Sequence, residues 1–406
     1  MISLLMILTG LFSQCLHEQS ATDPRGESYA GAAACASCHK DICQSYMHSH
    51  HFETSSLADA EDLRKKLANP KERYYYWDSS YVKVEENGYL LFQSYFVNGV
   101  KDRSGQFDIA FGSGEKAQTY ASWREDQLYE LPLTYFAHTH VWANSPGFPE
   151  GHANYGRIIT SRCFECHASY VSREVVQSGS LSVTENLDRN SIIFGIDCER
   201  CHGPGLAHVR YQSAHSGQES EQGAGKTGKY VTRISALTRQ QQLDICAACH
   251  SGNDQSTQKS LFTFAPGDTL SHYYYPDFGA DNGEPDVHGK QLQLLRTSMC
   301  FKGSSMTCTT CHDAHRPEEN KMAVFVSKCM DCHQGNAHAE SMLKDNEQKK
   351  RDFNLAGPTC IDCHMPLQTS KIIHSDKGGT EIPYLLRTHK IAVPDGPEAR
   401  RPKDRH

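Results

Sequence analysis

Apolar positions along this chain fall into two contrasting patterns. Between about residues 70 and 136 they form short blocks rich in aromatic and β-branched residues, at 73–77, 81–84, 89–97 and 106–111. Asn87-Gly88 and Asn98-Gly99 lie between these blocks, and such dipeptides favour two-residue hairpin turns because both residues tolerate positive φ. The pattern predicts a small β-meander. Beyond about residue 150 the blocks give way to short helical pieces, such as 239–247, among loops rich in Gly, Pro and Ser. The stretch 218–229 reads as a polar surface loop and 394–406 as a solvated tail.

At the start, residues 2–12 form an apolar run of 11 residues, the length of a signal-peptide core. That is well short of the roughly 18 residues that cross a bilayer, so no transmembrane helix is expected. Phe12-Ser13-Gln14-Cys15 has the outline of a lipoprotein signal, which makes Cys15 a candidate anchor point.

Composition changes the picture. A length of 406 residues suggests two or three domains if the interior were protein alone. Counted with Gly and without Tyr, however, the hydrophobic share is only roughly 41%, below the roughly 45–50% of ordinary soluble domains. Against this deficit stand 17 Cys and 23 His. Something other than aliphatic side chains is expected to fill part of the interior. A net charge of −7, with no long basic run, argues against a nucleic-acid binder that works by neutralising phosphates.

Fourteen of the cysteines fall in seven copies of Cys-x-x-Cys-His. In chain order these are Cys35, Cys38 and His39; Cys163, Cys166 and His167; Cys198, Cys201 and His202; and Cys246, Cys249 and His250. The last three are Cys308, Cys311 and His312; Cys329, Cys332 and His333; and Cys360, Cys363 and His364. This is the attachment pattern of c-type haem. Two thiols one helical turn apart add to the two vinyl groups of a porphyrin, and the adjacent His binds the iron from one side. Such chemistry needs reduced thiols and haem outside the cytoplasm, so the motif implies export to the periplasm or beyond. A zinc reading fits the spacing of Cys308, Cys311, Cys329 and Cys332, but an odd number of pairs cannot be shared out in fours. The intervals between motifs follow no fixed period, which excludes a solenoid.

Seven haems need up to seven further axial ligands. The candidates for this distal position are His50, His51, His152, His208, His272, His288, His315, His338, His374 and His389. His208 and His315 stand six and three residues after a motif His, too close to reach round their own ring. They are placed to reach a neighbouring haem instead. His48, His138, His140 and His215 sit in crowded or polar settings that suit solvated side chains. Cys43 and Cys300 are either free thiols or partners in one disulfide.

The chain resembles multihaem c-type cytochromes of the superfamily that includes cytochrome c nitrite reductase and hydroxylamine oxidoreductase, and within it a largely uncharacterised bacterial branch. Beyond the motifs, the resemblance lies in Cys35 to His51, Phe111-Gly-Ser-Gly114, Glu130 to Phe136 and Ser145-Pro-Gly147. It continues through Cys198 to His208, Leu270-Ser-His272, Cys300, Thr307 to His315, Cys363-His-Met-Pro366, His374 and His389. The chain departs from both named enzymes. It has no Cys-x-x-Cys-Lys motif, and it has seven attachment motifs where the hydroxylamine enzymes carry eight haems. The resemblance therefore carries over no catalytic residue.

The expected fold is mainly α, with extensive irregular loops around a multihaem core and a small β-meander insert. The expected segments are a signal at 1–24, a first haem segment at 25–69, the β-rich insert at 70–136, a six-haem core at 137–394 and a polar tail at 395–406. The expected function is electron transfer along bis-His haems between redox partner proteins, one of them a membrane quinol-linked donor, with no nucleic-acid partner. The alternative is an oxidoreductase acting on a small nitrogen or sulfur oxo-species at a haem with one open face. Both require seven covalent haem c groups. A pyridine haemochrome assay or an intact mass should give seven per chain, and four or fewer would overturn the reading.

Overall fold

The computed structural model describes residues 22–67, 73–76, 80–179, 182–215, 229–252, 255–275, 285–317, 321–334, 359–377 and 380–393. The signal-like run with Cys15, most of 218–229, His338 and the polar tail lie outside the described residues.

Alternation along the strands builds a two-faced sheet. Ser55–Leu57, Ile109–Phe111, Ala117–Arg124, Gln127–Glu130 and Ile158–Ile159 lie side by side in that order, all antiparallel. Leu133–Phe136 also pairs with the third of these strands and carries Val141–Asn144 on its other side. Successive side chains point to opposite faces, so Ala110 and Tyr120 join one core while Ile109, Phe111 and Ala121 join another. The first core is closed by the meander Arg73–Tyr75, Tyr81–Asn87, Leu90–Val97 and Val100–Gln106, through Val82 and Leu91. The second face receives Phe164 from the helix Ser161–His167, which carries the second Cys-x-x-Cys-His motif. A separate core surrounds the helix Arg239–His250, with Leu243, Leu261, Leu270, Leu292 and Phe301 buried together.

Turn chemistry explains the meander. Asn98 and Gly99 have φ of 52° and 78° and form a two-residue turn between Val97 and Val100, as a type I′ hairpin requires. The other turn is Gly88-Tyr89 rather than Asn87-Gly88, because Asn87 pairs with Leu90 and Gly88 alone takes positive φ.

The expectation of a mainly α chain is overturned. Strands form 17 elements in five antiparallel sheets among the described residues, and they continue past the insert. Arg173–Ser178 pairs with Ser182–Leu187, and Leu367–Lys377 with Thr380–Arg387. The expected boundary at 136 falls inside the hairpin of Leu133–Phe136 and Val141–Asn144. The physical reason lies in the motifs. Cys198–His202 and Cys360–His364 are helices of only 5 residues, one turn long, and helices that short are not stable by themselves. Helix is confined largely to those turns and their neighbours, and the segments between them satisfy their backbone groups by pairing as hairpins.

Two tests follow from this packing. A Cβ added at Gly195, where φ is 65°, would lie 1.9 Å from the Phe52 carbonyl oxygen, whereas one at Gly88 meets nothing within 4 Å. Gly195→Ala should lower stability by about 2–4 kcal/mol, seen as a drop in melting temperature, while Gly88→Ala costs about 1–2 kcal/mol.

The second concerns Glu85. Partial burial alone would raise its pKa, but Lys101, Lys83 and Ser94 hold it down at about 2, from an ordinary 4.5. The stability this ion pair contributes is present above the unfolded value and is lost as pH falls from about 4.5 to about 2. Glu85→Gln should flatten that acid limb in a melting series.

Candidate haem-attachment sites

Every motif lies wholly or partly on a helical turn. His39, His312 and His333 each donate a backbone N–H to the carbonyl of the first Cys of their motif, at 2.9, 3.0 and 3.0 Å. One turn places both thiols on the same side and the His one residue further round. Capping fixes where these turns begin. Asp197 accepts the Arg200 N–H at 3.0 Å just ahead of Cys198. Thr359 and Asp362 form a reciprocal capping box at Cys360, as Thr307 and Thr310 do at Cys308. All the motif cysteines are free thiols, as thioether formation requires. Thiols i and i+3 beside an imidazole are the donor set that covalent haem needs, so these residues fit the group.

Several imidazoles are oriented through Nδ1. His202 donates to the Thr232 carbonyl at 3.1 Å, His364 to that of Ala392 at 2.8 Å, and His208 to that of Lys229 at 2.8 Å. His167 Nδ1 meets the Thr54 hydroxyl at 3.0 Å. A carbonyl only accepts, so Nδ1 carries the proton and Nε2 keeps its lone pair free for a metal. Burial, and then His51, push the His250 pKa down to about 4, and burial also lowers that of His167. Both shifts favour the neutral imidazole, the state a ligand needs.

The structure brings four motif histidines within 6.4 Å, centroid to centroid, of histidines from elsewhere. His39 and His208 have ring centroids 6.4 Å apart and planes within 15°. His202 and His315 are 5.8 Å apart at 16°, and His312 and His389 are 6.2 Å apart at 28°. His51 and His250 are 6.1 Å apart at 78°. His288 acts electrostatically on His167, opposing its protonated form, and its ring also contacts Tyr384 at 6.1 Å.

Other candidates are placed differently. His50 forms an ion pair through Nε2 with Glu115 rather than facing a motif. His152 and His272 are exposed. His374 pairs through its backbone with Pro383, and its side chain is outside the description. His140 contacts the Tyr135 hydroxyl at 2.9 Å, and His215 lies on Tyr211 at 4.2 Å. The thiols of Cys43 and Cys300 are both free. Cys43 lies beside Cys198, and Cys300 acts on Cys311 and Cys329.

Sequence reasoning missed the residues that hold the motif turns in place. Arg25 binds Asp23, Asp197 and Glu199 at 2.9, 2.8 and 3.0 Å. Glu165 accepts from the Ser260 hydroxyl at 2.6 Å and the Leu261 N–H at 3.0 Å. The capping residues Asp197, Thr307 and Thr359 were open to detection as Asp or Thr immediately ahead of a motif. Nothing in the local sequence pointed to Arg25.

Comparisons with known proteins agree with this chemistry. A family described as Cytochrome c3 matches residues 300–375, and one described as Cytochrome c554 and c-prime matches residues 137–203. The multiheme cytochrome MtrA of Shewanella baltica (strain OS185) is 26% identical over 232 residues, 55% of this chain and 58% of that protein. The dissimilatory sulfite reductase MccA of Wolinella succinogenes is 21% identical over 434 aligned residues, 90% of this chain and 55% of that protein. The chain thus spans somewhat over half the length of these relatives. The outer cell wall cytochrome OcwA shares the fold, with a TM-score of 0.51 at 17% identity, covering 86% of this chain and 79% of that one. With its motif turns and these likenesses, the chain is a multihaem c-type cytochrome that binds haem c covalently. Among the described residues no helix is long and apolar enough to cross a membrane.

Proposed function

We propose that this cytochrome is an exported electron carrier with seven covalent haem c groups, most or all of them held between two histidines. When bound, haem supplies a one-electron couple between ferric and ferrous iron. The single observation that carries the reading is the facing of motif and non-motif imidazoles at 5.8–6.4 Å. Two imidazoles on opposite sides of one metal, with bonds of about 2.0–2.1 Å, place their ring centroids about 6.3 Å apart.

On this reading His208, His315, His51 and His389 are the distal partners of His39, His202, His250 and His312, and His288 is that of His167. The carbonyls of Thr232, Ala392 and Lys229 hold their imidazoles so that Nε2 stays available. Buried carboxylates such as Glu165 and Asp244 bind backbone or side-chain donors from neighbouring loops and keep the motif turns from separating.

Covalent attachment implies a compartment outside the cytoplasm, with Cys15 as a lipid-anchor candidate and a membrane quinol-linked protein as donor. Placement in the nitrite reductase and hydroxylamine oxidoreductase superfamily rests on the residues named from the sequence. The likeness to a protein named a dissimilatory sulfite reductase favours a second reading, in which one site keeps an open face for a small oxo-species. Binding of nitric oxide or carbon monoxide, together with a high-spin ferric signal, would support that second reading. Entirely low-spin spectra without binding support the carrier.

The pairing itself has a sharper test. His208→Ala should create one high-spin haem by electron paramagnetic resonance, and the same change with Cys35→Ala and Cys38→Ala should create none. A high-spin signal that persists without the first haem would overturn the pairing.

A further inference from the structure

We infer that the buried cluster of Arg25 with Asp23, Asp197 and Glu199 makes the first and third attachment sites the low-potential end of this electron carrier. The inference rests on the carrier reading above. Only 5% of the Arg25 side chain is exposed, against 10% for Asp23, 4% for Asp197 and 2% for Glu199. One guanidinium therefore faces three carboxylates, and the cluster holds a surplus of negative charge away from water.

Each carboxylate is held by hydrogen-bond donors. Asp23 accepts the Arg25 backbone N–H and Nε–H, both at 2.9 Å. Asp197 accepts from Arg25 Nη1 and from the Arg200 N–H, both at 3.0 Å. Glu199 accepts the N–H groups of Ala30 and Gly31 at 2.9 Å and of Gly205 at 2.7 Å. The neighbouring Arg200 guanidinium does not join the cluster. It donates instead to the carbonyls of Leu261 and Glu165, at 2.7 and 3.1 Å.

The cluster touches two sites at once. Asp197 caps the third motif and Glu199 lies inside it. Ala30 and Gly31 lead directly into the helix Ala32–Ala36 that carries Cys35, and that helix packs against Cys198–His202. At the second and seventh motifs the carboxylate has an arginine of its own, while Asp244 beside the fourth is held by the Gln240 amide and the Leu270 N–H. Glu165 pairs with Arg162 at 2.7 Å in the second, and Asp362 with Arg387 at 2.6 Å in the seventh.

A fixed, poorly solvated negative charge stabilises the extra positive charge left when an electron departs, so it lowers the local potential. Each transfer is balanced. A reduced first or third site loses one electron, an oxidised neighbouring site of higher potential gains it, and no bond is made or broken. The uncompensated carboxylates thus bias electrons away from this end and toward the other sites.

Spectroelectrochemical titration of the haem-loaded protein tests this. Asp23→Asn removes one negative charge without altering either motif. Two of the one-electron components should move to higher potential while the rest stay. Glu199→Gln, which keeps an acceptor oxygen, should give the same upward shift. With Cys35→Ala and Cys38→Ala, which remove the first site, only one component should move. Arg25→Lys keeps the charge but loses the fork, and should leave all components in place, which a purely structural role would not do. Unmoved components in both charge-removing variants, or an equal shift of all, would overturn the inference and leave the carrier reading standing. A wild-type protein without reversible one-electron components would overturn the carrier reading itself.

Discussion

A helical turn with two thiols and a histidine offers a porphyrin a ligand on one face only, and on the proposed carrier reading the second face is closed by a side chain from elsewhere. That requirement governs the rest of the molecule. His39 faces His208, His250 faces His51, and His312 faces His389, so the opposing imidazole comes from a remote stretch of chain in each case. His208 and His315 stand directly after the third and fifth motifs, yet they face the first and third. On the proposed pairing the sites are interlocked: a segment that carries one attachment motif also brings an imidazole to the histidine of another.

Interlocking demands accuracy, and buried polar contacts supply it. An imidazole whose Nδ1 is tied to a carbonyl cannot rotate its Nε2 away, and the carbonyls come from Thr232, Lys229 and Ala392 in loops far from the motifs they serve. Carboxylates inside or beside the motifs work in the other direction, reaching out from the turn to hold neighbouring backbone. Glu165 binds Leu261, Asp244 binds Leu270, and Glu199 binds the approach to the first motif. Losing one partner of such a contact would leave a charge or a donor buried and unmatched, which is costlier than the contact itself is stabilising.

The sheet does what the short motif helices cannot. It is a two-sided platform whose alternation sends one set of residues to an ordinary aromatic and aliphatic core and the other set toward the second motif. The thin apolar content is thereby reconciled with a large chain. Conventional cores form beneath the meander and around Arg239–His250, and on the proposed carrier reading porphyrins supply further apolar surface.

The candidate attachment motifs can be read from the sequence because covalent chemistry requires a fixed spacing within five positions, and that is a local property. The first three strands of the meander were legible for the same reason, Asn98-Gly99 specifying a turn through backbone sterics alone, whereas the block expected at 106–111 falls across its fourth strand, Val100–Gln106, and Ile109–Phe111 of the larger sheet. The hairpins at 173–187 and 367–387 were not, since their polar sequences acquire strand geometry only by pairing with each other. Nor was the choice between His50 and His51 visible. They are adjacent in sequence, and only the tertiary structure turns one to Glu115 and the other to His250. The sequence by itself determined the kind of cofactor and the candidate attachment motifs, because thiol spacing is written residue by residue. Which imidazoles lie opposite one another, and which charge lies beside them, was decided by the folded chain, because those distances depend on segments that meet only in three dimensions.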